Sequence, residues 1–495
     1  MSPRPILPGF HPDPSICRVG RDYYLATSTF EYFPGVPIFH SRDLVHWRAI
    51  GHALTRDTQL GLQQAKSSQG IFAPTLREHA GVFYLVTTNI AGGGNFYVTA
   101  RDPAGPWSEP VWLPEEAGWM DPSLFFDDDG KVYFTRHGGG ERGAVYQAEL
   151  DLSEGRLKQA PRLIWSGTGG VWPEGPHLFK RAGWYYLTIA EGGTSYDHMQ
   201  TIARARSPFG PFESYAKNPI LSHRDRPEHA VQATGHADFV EDESGRWWLV
   251  FLGIRPATER HHHLGRETFL ASVSWNDAGW PEVTFTESLE RLPAAHREPT
   301  TRDDFDEPAL GLQYNFVRNP ERERYRLDAR AGFLRLLGSS ATLGEVGAPT
   351  FVGRRQQHFA CTIRASLEFD AKNEGDEAGL SLRANEAHHY SLLVTGGARR
   401  RVLLRARRRG VSEVIQEAEL APGAVTLEIR ATRERYEFRW AQGTTGALGT
   451  LPTSDLSTEA AGGFTGVYAG MYARAVSEPA APADFDWFEY VPGPE

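Results

Sequence analysis

The stretch AGWYYLTIA, residues 182–190, is a glycine turn followed by an aromatic and β-branched run that is typical of a β-strand. The same pattern occurs four more times, as GRDYYLATS from Gly20, AGVFYLVTT from Ala80, DGKVYFTRH from Asp129 and SGRWWLVFL from Ser244. The aligned aromatic residues, Tyr24, Tyr84, Tyr133, Tyr186 and Trp248, are 60, 49, 53 and 62 residues apart. A repeat of this length predicts the four-stranded blades of a β-propeller.

A shorter apolar segment precedes the glycine turn in each repeat. In chain order these segments are HPDPSI, FAPTL, MDPSLFFDDDG, PEGPHLFK and GHADFVEDESG. Each predicts the innermost strand of a blade, joined to the aromatic strand by a hairpin. The fifth repeat ends near residue 290, so residues 1–295 are predicted to form a five-bladed β-propeller.

The inner strands begin with residues that a propeller brings to one axis. They are Asp13, Ala73, Asp121, Glu174 and His236. A single Asp-Pro pair is an ordinary turn former. Three carboxylates at equivalent places in a repeat, each among apolar neighbours, indicate function instead, because burying an uncompensated carboxylate is costly. Asp13, Asp121 and Glu174 are therefore the candidate catalytic residues.

The rest of the chain predicts a second all-β domain. The segment PAAHREPTTRDDFDEP, residues 293–308, is typical of a linker. Beyond it, alternating runs such as FACTIRASLEF predict the antiparallel strands of a β-sandwich over residues 296–495. The basic run RRRVLLRARRRG, residues 399–410, is predicted to be an edge strand protected by its charge.

Composition excludes several classes of protein. The 495 residues carry a net charge of −10, which argues against a nucleic-acid partner. The two cysteines, Cys17 and Cys361, are far apart, so a disulfide framework is not expected. No segment is apolar enough to span a membrane, and MSPRPILPGF does not resemble a signal peptide, so a cytoplasmic protein is expected. The run of three histidines at 261–263 lacks a second ligand cluster and predicts a loop rather than a metal site.

Several long segments resemble glycoside hydrolase family 43. FHPDPSICRVGRDYYLATSTFEYFPGVPIFHSRDLVHW, residues 10–47, is similar to the opening blade of that family. MDPSLFFDDDG, PEGPHLFK, TGHADFVED and HHLGRETFL are similar to its later landmarks, and the resemblance covers residues 5–290 motif by motif. It implies a five-bladed propeller that hydrolyses terminal pentosides with inversion at the anomeric carbon.

The resemblance also implies a role for each carboxylate. Asp13 matches the general base, Glu174 the general acid, and Asp121 the residue that tunes the pKa of the acid and orients the sugar. Inversion requires the acid and the base to stand roughly 6.5–9.5 Å apart, with room for a water molecule. We expect apolar neighbours and the charge of Asp121 to keep Glu174 protonated, and a nearby cation such as Arg266 to keep Asp13 ionised.

Further residues of the sugar pocket follow from the same resemblance. Arg266 resembles the arginine that contacts the sugar hydroxyls, and Phe30 resembles an apolar wall. Phe72 stands where many relatives have Trp, so this wall is predicted to differ. His236 resembles the histidine at the propeller axis, beside which some relatives hold calcium or another small cation. No other cofactor is implied.

The role of the second domain stays open at this point. The segment GGFTGVYAGMYAR, residues 462–474, resembles a part of the sandwich near a loop that, in some family members, reaches the active-site mouth. The alternative is a sandwich that only stabilises the propeller. The segments GIFAPTL and YLVTTNIAGGG favour the arabinofuranosidase or bifunctional branch of the family.

The predicted function is an exo-acting, inverting β-D-xylosidase, α-L-arabinofuranosidase, or both, acting on xylo- or arabino-oligosaccharides. Two alternatives remain. One is a carbohydrate-binding propeller without hydrolysis. The other is a retaining, fructan-cleaving enzyme of similar architecture, although that family usually shows Glu-Cys where this chain has Glu174-Gly175. The sequence leaves the preferred sugar and the formation of a homo-oligomer undecided.

Overall fold

The computed structural model describes residues 4–139, 141–285 and 301–494. Over these ranges the regular structure is almost entirely β-strand. The helical turns are three short 3-10 helices, Pro114–Glu116, Arg322–Arg324 and Thr453–Leu456, and the α-helix α1, Thr458–Ala461. No helix in the described ranges is long and apolar enough to cross a membrane.

Five antiparallel sheets follow one another in the first part of the chain. Blade 1 contains β1 (Ser15–Val19), β2 (Asp22–Ala26), β4 (Gly35–Ser41) and β5 (Arg48–Leu54), while β3 (Tyr32–Phe33) lies outside this sheet. Blade 2 contains β6 (Thr75–His79), β7 (Val82–Asn89), β8 (Gly94–Ala100) and β9 (Val111–Trp112). Blade 3 contains β10 (Met120–Phe126), β11 (Val132–Gly138), β12 (Ala144–Asp151), β13 (Arg156–Leu157) and β14 (Arg162–Trp165). Blade 4 contains β15 (Glu174–Arg181), β16 (Trp184–Glu191), β17 (Met199–Ala205), β18 (Glu213–Ser214) and β19 (Leu221–Ser222). Blade 5 contains β20 (Gln232–Glu241), β21 (Trp247–Ile254), β22 (Glu267–Trp275) and β23 (Pro281–Thr284).

The five sheets confirm the predicted propeller, and the first two strands of each form the expected hairpin. The ring closes between blades 1 and 5. The buried carboxylate of Asp238 in β20 accepts hydrogen bonds from Ser15 Oγ at 2.9 Å and from the backbone N–H of Ile16 at 3.0 Å. Arg77 of blade 2 forms an ion pair with the same carboxylate at 2.8 Å. One buried anion therefore joins three blades at the centre of the ring.

The second part of the chain forms two packed antiparallel sheets, as predicted for a sandwich. The strands are β24 (Thr301–Asp303), β25 (Asn315–Val317), β26 (Tyr325–Arg326), β27 (Leu334–Leu337), β28 (Thr350–Arg355), β29 (Cys361–Phe369), β30 (Glu377–Arg383), β31 (His389–Thr395), β32 (Arg401–Arg408), β33 (Val411–Glu419), β34 (Val425–Ala431), β35 (Arg435–Gln442), β36 (Thr444–Pro452), β37 (Tyr468–Arg474) and β38 (Pro482–Pro492). One sheet runs β26-β27-β38-β29-β34-β35-β36, with β24 beside β38, and the other runs β3-β25-β28-β37-β30-β31-β32-β33. Leu380, Leu392, Leu427 and Phe438 are among the side chains of the shared core.

The structure corrects one detail of the sandwich and leaves another as a prediction. The basic run 399–410 is not an edge strand, because β32 pairs with β31 on one side and with β33 on the other. Its apolar residues are buried, and three of its arginines, Arg401, Arg405 and Arg408, form ion pairs with acidic residues, as Arg405 does with Glu377 at 2.7 Å. The mostly exposed β33 is the edge. The predicted domain boundary at 295/296 lies outside the described residues and stays a prediction.

Strand β3 ties the two domains together, because it comes from the propeller and completes a sandwich sheet. Phe33 pairs with Phe316 of β25. Beside it, Glu31 and Arg383 form an ion pair at 3.1 Å in which both side chains are almost completely buried. Removing one partner of such a pair typically costs about 3–5 kcal/mol, because the other charge stays buried. This contact therefore fixes the sandwich against the loop that follows β2.

Candidate active site

The inner strands leave regular β geometry at the residues that face the axis. The φ angles are 55° at Asp13, 54° at Asp121, 56° at Gly175 and 48° at His236. Register shifts accompany them in β10, β15 and β20. A bulge of this kind redirects a side chain, and positive φ is unfavourable for residues other than glycine. Four of the five blades thus show a positive φ at or next to the residue that was predicted to begin the inner strand.

Asp13 is buried and surrounded by donors. Its Oδ1 accepts a hydrogen bond from Arg266 Nη1 at 2.8 Å, and its Oδ2 accepts one from Ser28 Oγ at 2.5 Å. The Nδ1 atom of His236 lies 3.5 Å from Oδ1. Burial alone would raise the pKa of Asp13, but Arg266, His236 and Ser28 together hold it below the ordinary value. Asp13 is therefore ionised at neutral pH, as a general base requires.

Glu174, the first residue of β15, has a pKa shifted in the opposite direction. Desolvation raises its pKa well above the usual value, and the negative charges of Asp121 and Asp13 raise it further. Arg266 acts in the other direction without reversing the effect. Glu174 thus keeps its proton to a higher pH than an ordinary glutamate, and it lies in the same field of charges as an ionised Asp13. The two opposite pKa shifts are those that a general base and a general acid need.

Asp121 lies beside the acid. Its Oδ2 accepts a hydrogen bond at 3.0 Å from the backbone N–H of Gly175, the residue after Glu174. Burial raises the pKa of Asp121, the charge of His236 lowers it, and the charge of Asp13 raises it. A side chain at Gly175 would have its Cβ 2.8 Å from His236 Nε2. Glycine at this position therefore lets Asp121, Glu174 and His236 pack closely together.

His236 lies at the axis, as predicted, and its ring contacts Asp13 and the backbone of blade 4. Calcium in proteins takes six to eight oxygen ligands. Over residues 4–139, 141–285 and 301–494, no group of three His, Cys, Asp or Glu side chains converges as metal ligands would. The cation that the resemblance implies beside His236 stays a prediction, and no step of the chemistry is assigned to it.

The predicted sugar-binding residues Arg266, Phe30 and Phe72 form an aromatic wall beside Asp13. Arg266 donates a second hydrogen bond, to Thr194 Oγ1 at 3.1 Å, and its guanidinium carbon lies 5.6 Å from the centroid of the Phe30 ring. The rings of Phe30 and Phe72 are 5.0 Å apart. The structure thus brings Arg266, Phe30 and Phe72 together beside Asp13.

Phe464 of the sandwich completes this wall and was missed by the sequence analysis. Its ring centroid lies 5.8 Å from that of Phe30 and 5.7 Å from the guanidinium carbon of Arg266. Its backbone N–H donates to Ser68 Oγ at 2.8 Å, and Ser68 N–H donates to Glu31 at 2.9 Å. The sequence analysis singled out the segment 462–474 but no residue within it. The local signal that could have identified Phe464 is an aromatic residue directly after two glycines. The sandwich therefore contributes a side chain to this wall.

The three histidines at 261–263 lie near the base of the Phe464 loop. His262 Nδ1 and Glu459 Oε1 of α1 are 2.7 Å apart, and the backbone N–H of His262 donates to the same carboxylate. The backbone N–H of Val467 donates to the carbonyl of His263 at 2.9 Å. These residues join blade 5 to the sandwich, in agreement with the predicted loop.

A propeller whose axis holds one ionised and one protonated carboxyl group, next to an aromatic wall and an arginine, has the groups that hydrolyse a glycosidic bond. The fold and the site define a glycoside hydrolase. The comparison with known proteins agrees. The chain belongs to glycosyl hydrolases family 43, whose sequence profile matches residues 2–281. A second profile, the beta xylosidase C-terminal concanavalin A-like domain, matches residues 302–491.

Relatives cover nearly the whole chain. The non-reducing end alpha-L-arabinofuranosidase of Bacteroides ovatus is 45% identical, over 98% of this chain and 94% of its own length. The xylosidase/arabinosidase of Butyrivibrio fibrisolvens is 40% identical, over 95% of each chain. The crystal structure of xylan beta-1,4-xylosidase from Bacillus halodurans superposes with a TM-score of 0.93 at 36% identity, covering 99% of this chain and 100% of that one. The predicted fold, the family and the class of enzyme are confirmed.

Proposed function

We propose that this protein releases terminal pentoses from xylo- and arabino-oligosaccharides by an inverting, single-displacement hydrolysis. The observation that carries the proposal is the opposite shift of two pKa values in one pocket, lowered for Asp13 and raised for Glu174. An inverting glycosidase needs one carboxylate and one carboxylic acid on opposite faces of the sugar.

In the proposed reaction, Glu174 gives its proton to the glycosidic oxygen as the bond to the anomeric carbon breaks. Asp13 takes a proton from a water molecule whose oxygen forms the new bond to the anomeric carbon. Asp121 keeps Glu174 protonated through its charge, and its hydrogen bond to Gly175 holds the backbone next to the acid. Arg266 keeps Asp13 ionised and presents its remaining donors to the sugar hydroxyls.

Action at chain ends is supported by the wall of the pocket. Phe30 and Phe72 come from the propeller and Phe464 from the sandwich, so aromatic rings of both domains border the same side. A wall of this kind favours a pocket for one terminal sugar over an open cleft for the middle of a polymer. The names of the relatives, and the segments that favour the bifunctional branch, support activity on both α-L-arabinofuranosides and β-D-xylosides.

The experiment compares kcat/KM on 4-nitrophenyl α-L-arabinofuranoside and 4-nitrophenyl β-D-xyloside, with the corresponding hexosides as controls. It then follows the products formed from linear xylo-oligosaccharides and from arabinose-substituted ones. We expect hydrolysis of both pentosides, little hydrolysis of hexosides, and free pentose as the only early product. Early release of oligosaccharides would contradict exo action. Binding without hydrolysis of any of these compounds would support the non-enzymatic alternative.

A further inference from the structure

Two exposed tryptophans stand at equivalent places in blades 3 and 4. Eleven of the thirteen tryptophans in the chain are buried or half-buried. The other two are Trp119, which is 36% exposed, and Trp172, which is 54% exposed. Trp119 lies two residues before Asp121, and Trp172 lies two residues before Glu174. Single exposed apolar residues are common on protein surfaces, but this pair follows the symmetry of the catalytic carboxylates.

The Trp172 side chain is held in place although it is exposed. Its backbone N–H donates to the carbonyl of Arg142 at 2.8 Å, and its φ is 52°. A Cβ placed on Gly193 would lie 2.6 Å from a carbon of the Trp172 ring, so the indole rests on the backbone of this glycine. An indole with a supported ring and large exposure is a preformed surface for a flat, partly apolar ligand.

A buried anion fixes the loop that leads into Trp172. The carboxylate of Glu191 accepts hydrogen bonds from the backbone N–H groups of Thr168 and Gly170, at 2.9 Å and 3.0 Å, and from Thr168 Oγ1 at 3.0 Å. Glu191 itself is fully buried at the end of β16. The next residue, Gly192, donates its N–H to the carbonyl of Val171 at 2.8 Å. The loop is therefore built to hold one arrangement.

The position of Trp172 relates it to the leaving group. Thr194 follows Gly193, the glycine on which the Trp172 ring rests. Thr194 accepts a hydrogen bond from Arg266, which also donates one to Asp13. In the chain, Trp172 is joined to the acid Glu174 through Pro173 alone. An acid must stand on the side of the glycosidic oxygen, because it protonates the leaving group. The place of Trp172, two residues before Glu174 in the chain, and its support next to the residue that binds Arg266 point to the side where the leaving sugar emerges.

A cavity of about 420 Å³ extends from the same loop, and polar and charged side chains line it together with Val171. Its lining residues include Asp197, Met199, Arg224 and Asp225. Carboxylate and guanidinium groups of this kind accept from and donate to sugar hydroxyls. Groups that can bind hydroxyls thus lie in the cavity next to Val171, the residue before Trp172.

We propose that Trp172 forms the subsite for the leaving group, where the ring of the sugar next to the scissile bond stacks on the indole. The sugar beyond it would use the cavity next to Val171. This proposal rests on the proposed function, since it names what binds on the acid side of the same site. Trp172 would therefore recognise the leaving group, favouring one that is a pyranose, and would not distinguish between terminal pentoses.

The experiment compares two substrates that share the terminal pentose. One is an oligosaccharide with a sugar leaving group, with the linkage that the wild type hydrolyses fastest. The other is the glycosyl fluoride of the same pentose in the same anomeric configuration, so that only the leaving group differs. Trp172→Ala is expected to lower kcat/KM about tenfold or more on the oligosaccharide and to leave the pentosyl fluoride unchanged. Trp172→Tyr is expected to recover most of the loss, because it keeps an aromatic face.

Two controls separate stacking from other effects. Leu163→Ala, on β14, removes an apolar side chain that is as exposed as Trp172 but lies away from the mouth, and it should change neither rate. The alkaline limb of the pH profile should stay at the same pH in Trp172→Ala. A shifted limb would mean that Trp172 acts by positioning Glu174, and unchanged hydrolysis of the oligosaccharide would mean that it does not bind the leaving group. Either result would overturn the proposal. A wild type that hydrolyses neither substrate would instead contradict the proposed function.

Discussion

Replacing Glu174 with glutamine is expected to lower kcat/KM on oligosaccharides by about 10²–10⁴-fold, because the amide cannot protonate the leaving oxygen. The wild type should lose activity as the pH rises through the pKa of Glu174, which burial and the charges of Asp121 and Asp13 raise. In Glu174→Gln this alkaline limb should disappear. Rates measured across pH on one oligosaccharide test both expectations.

The variant should also keep its fold. A carboxyl group whose pKa is raised by folding lowers the stability of the folded state increasingly as the pH rises above its ordinary pKa, and the full cost is reached above the raised pKa. Glutamine removes this cost, so the melting temperature of Glu174→Gln in alkaline buffer should equal or exceed that of the wild type. Glu282→Gln changes an exposed glutamate on β23 and serves as the matched control, with wild-type activity. Full activity in Glu174→Gln would show that another group is the acid.

Replacing Asp13 with asparagine is expected to cause a comparable loss of about 10²–10⁴-fold, because the water molecule loses its base. The pKa of Asp13 is lowered, despite burial, by Arg266, His236 and Ser28, so the wild type should lose activity only as the pH falls into the acid range. That acid limb should be absent in Asp13→Asn. Asp277→Asn, at an exposed hairpin position in blade 5, is the control that should behave as the wild type.

The Asp13 variant has a second consequence that a purely structural role would not give. The charge of Asp13 contributes to the raised pKa of Glu174. Removing this charge should lower the pKa of Glu174, because Arg266 also lowers it and Asp13 no longer counteracts Arg266. The alkaline limb of the residual activity should therefore move to lower pH. An alkaline limb that stays at the wild-type pH would contradict the placement of the two carboxyl groups in one field of charges.

The sequence predicted those features that repeat or that follow from side-chain alternation. The five aromatic strands marked the blades. Because Asp13, Asp121, Glu174 and His236 begin inner strands, the propeller was predicted to bring them to one axis. Both signals are local patterns that a regular fold converts into proximity. The convergence of these side chains at one axis could thus be inferred before any coordinates were known.

Other features depended on contacts between segments far apart in the chain. Nothing local shows that β3 leaves its blade to complete a sandwich sheet, or that Phe464 is the sandwich residue that reaches Phe30. The positive φ at Asp13 and Asp121 is unfavourable for these residues and is maintained by the surrounding blades. The prediction that β32 is an edge strand was wrong because charge was taken as the mark of an edge, whereas acidic partners on other strands of the same sheet balance that charge.

The most direct test of the account is the configuration of the first sugar released, followed by proton NMR before mutarotation. The central claim is that Asp13 activates water while Glu174 protonates the leaving group in a single displacement. The claim predicts that a β-D-xyloside first yields α-xylose and that an α-L-arabinofuranoside first yields the β-anomer. Initial release of the sugar with its original configuration would require a covalent intermediate and would contradict the assignment of Asp13 as a base.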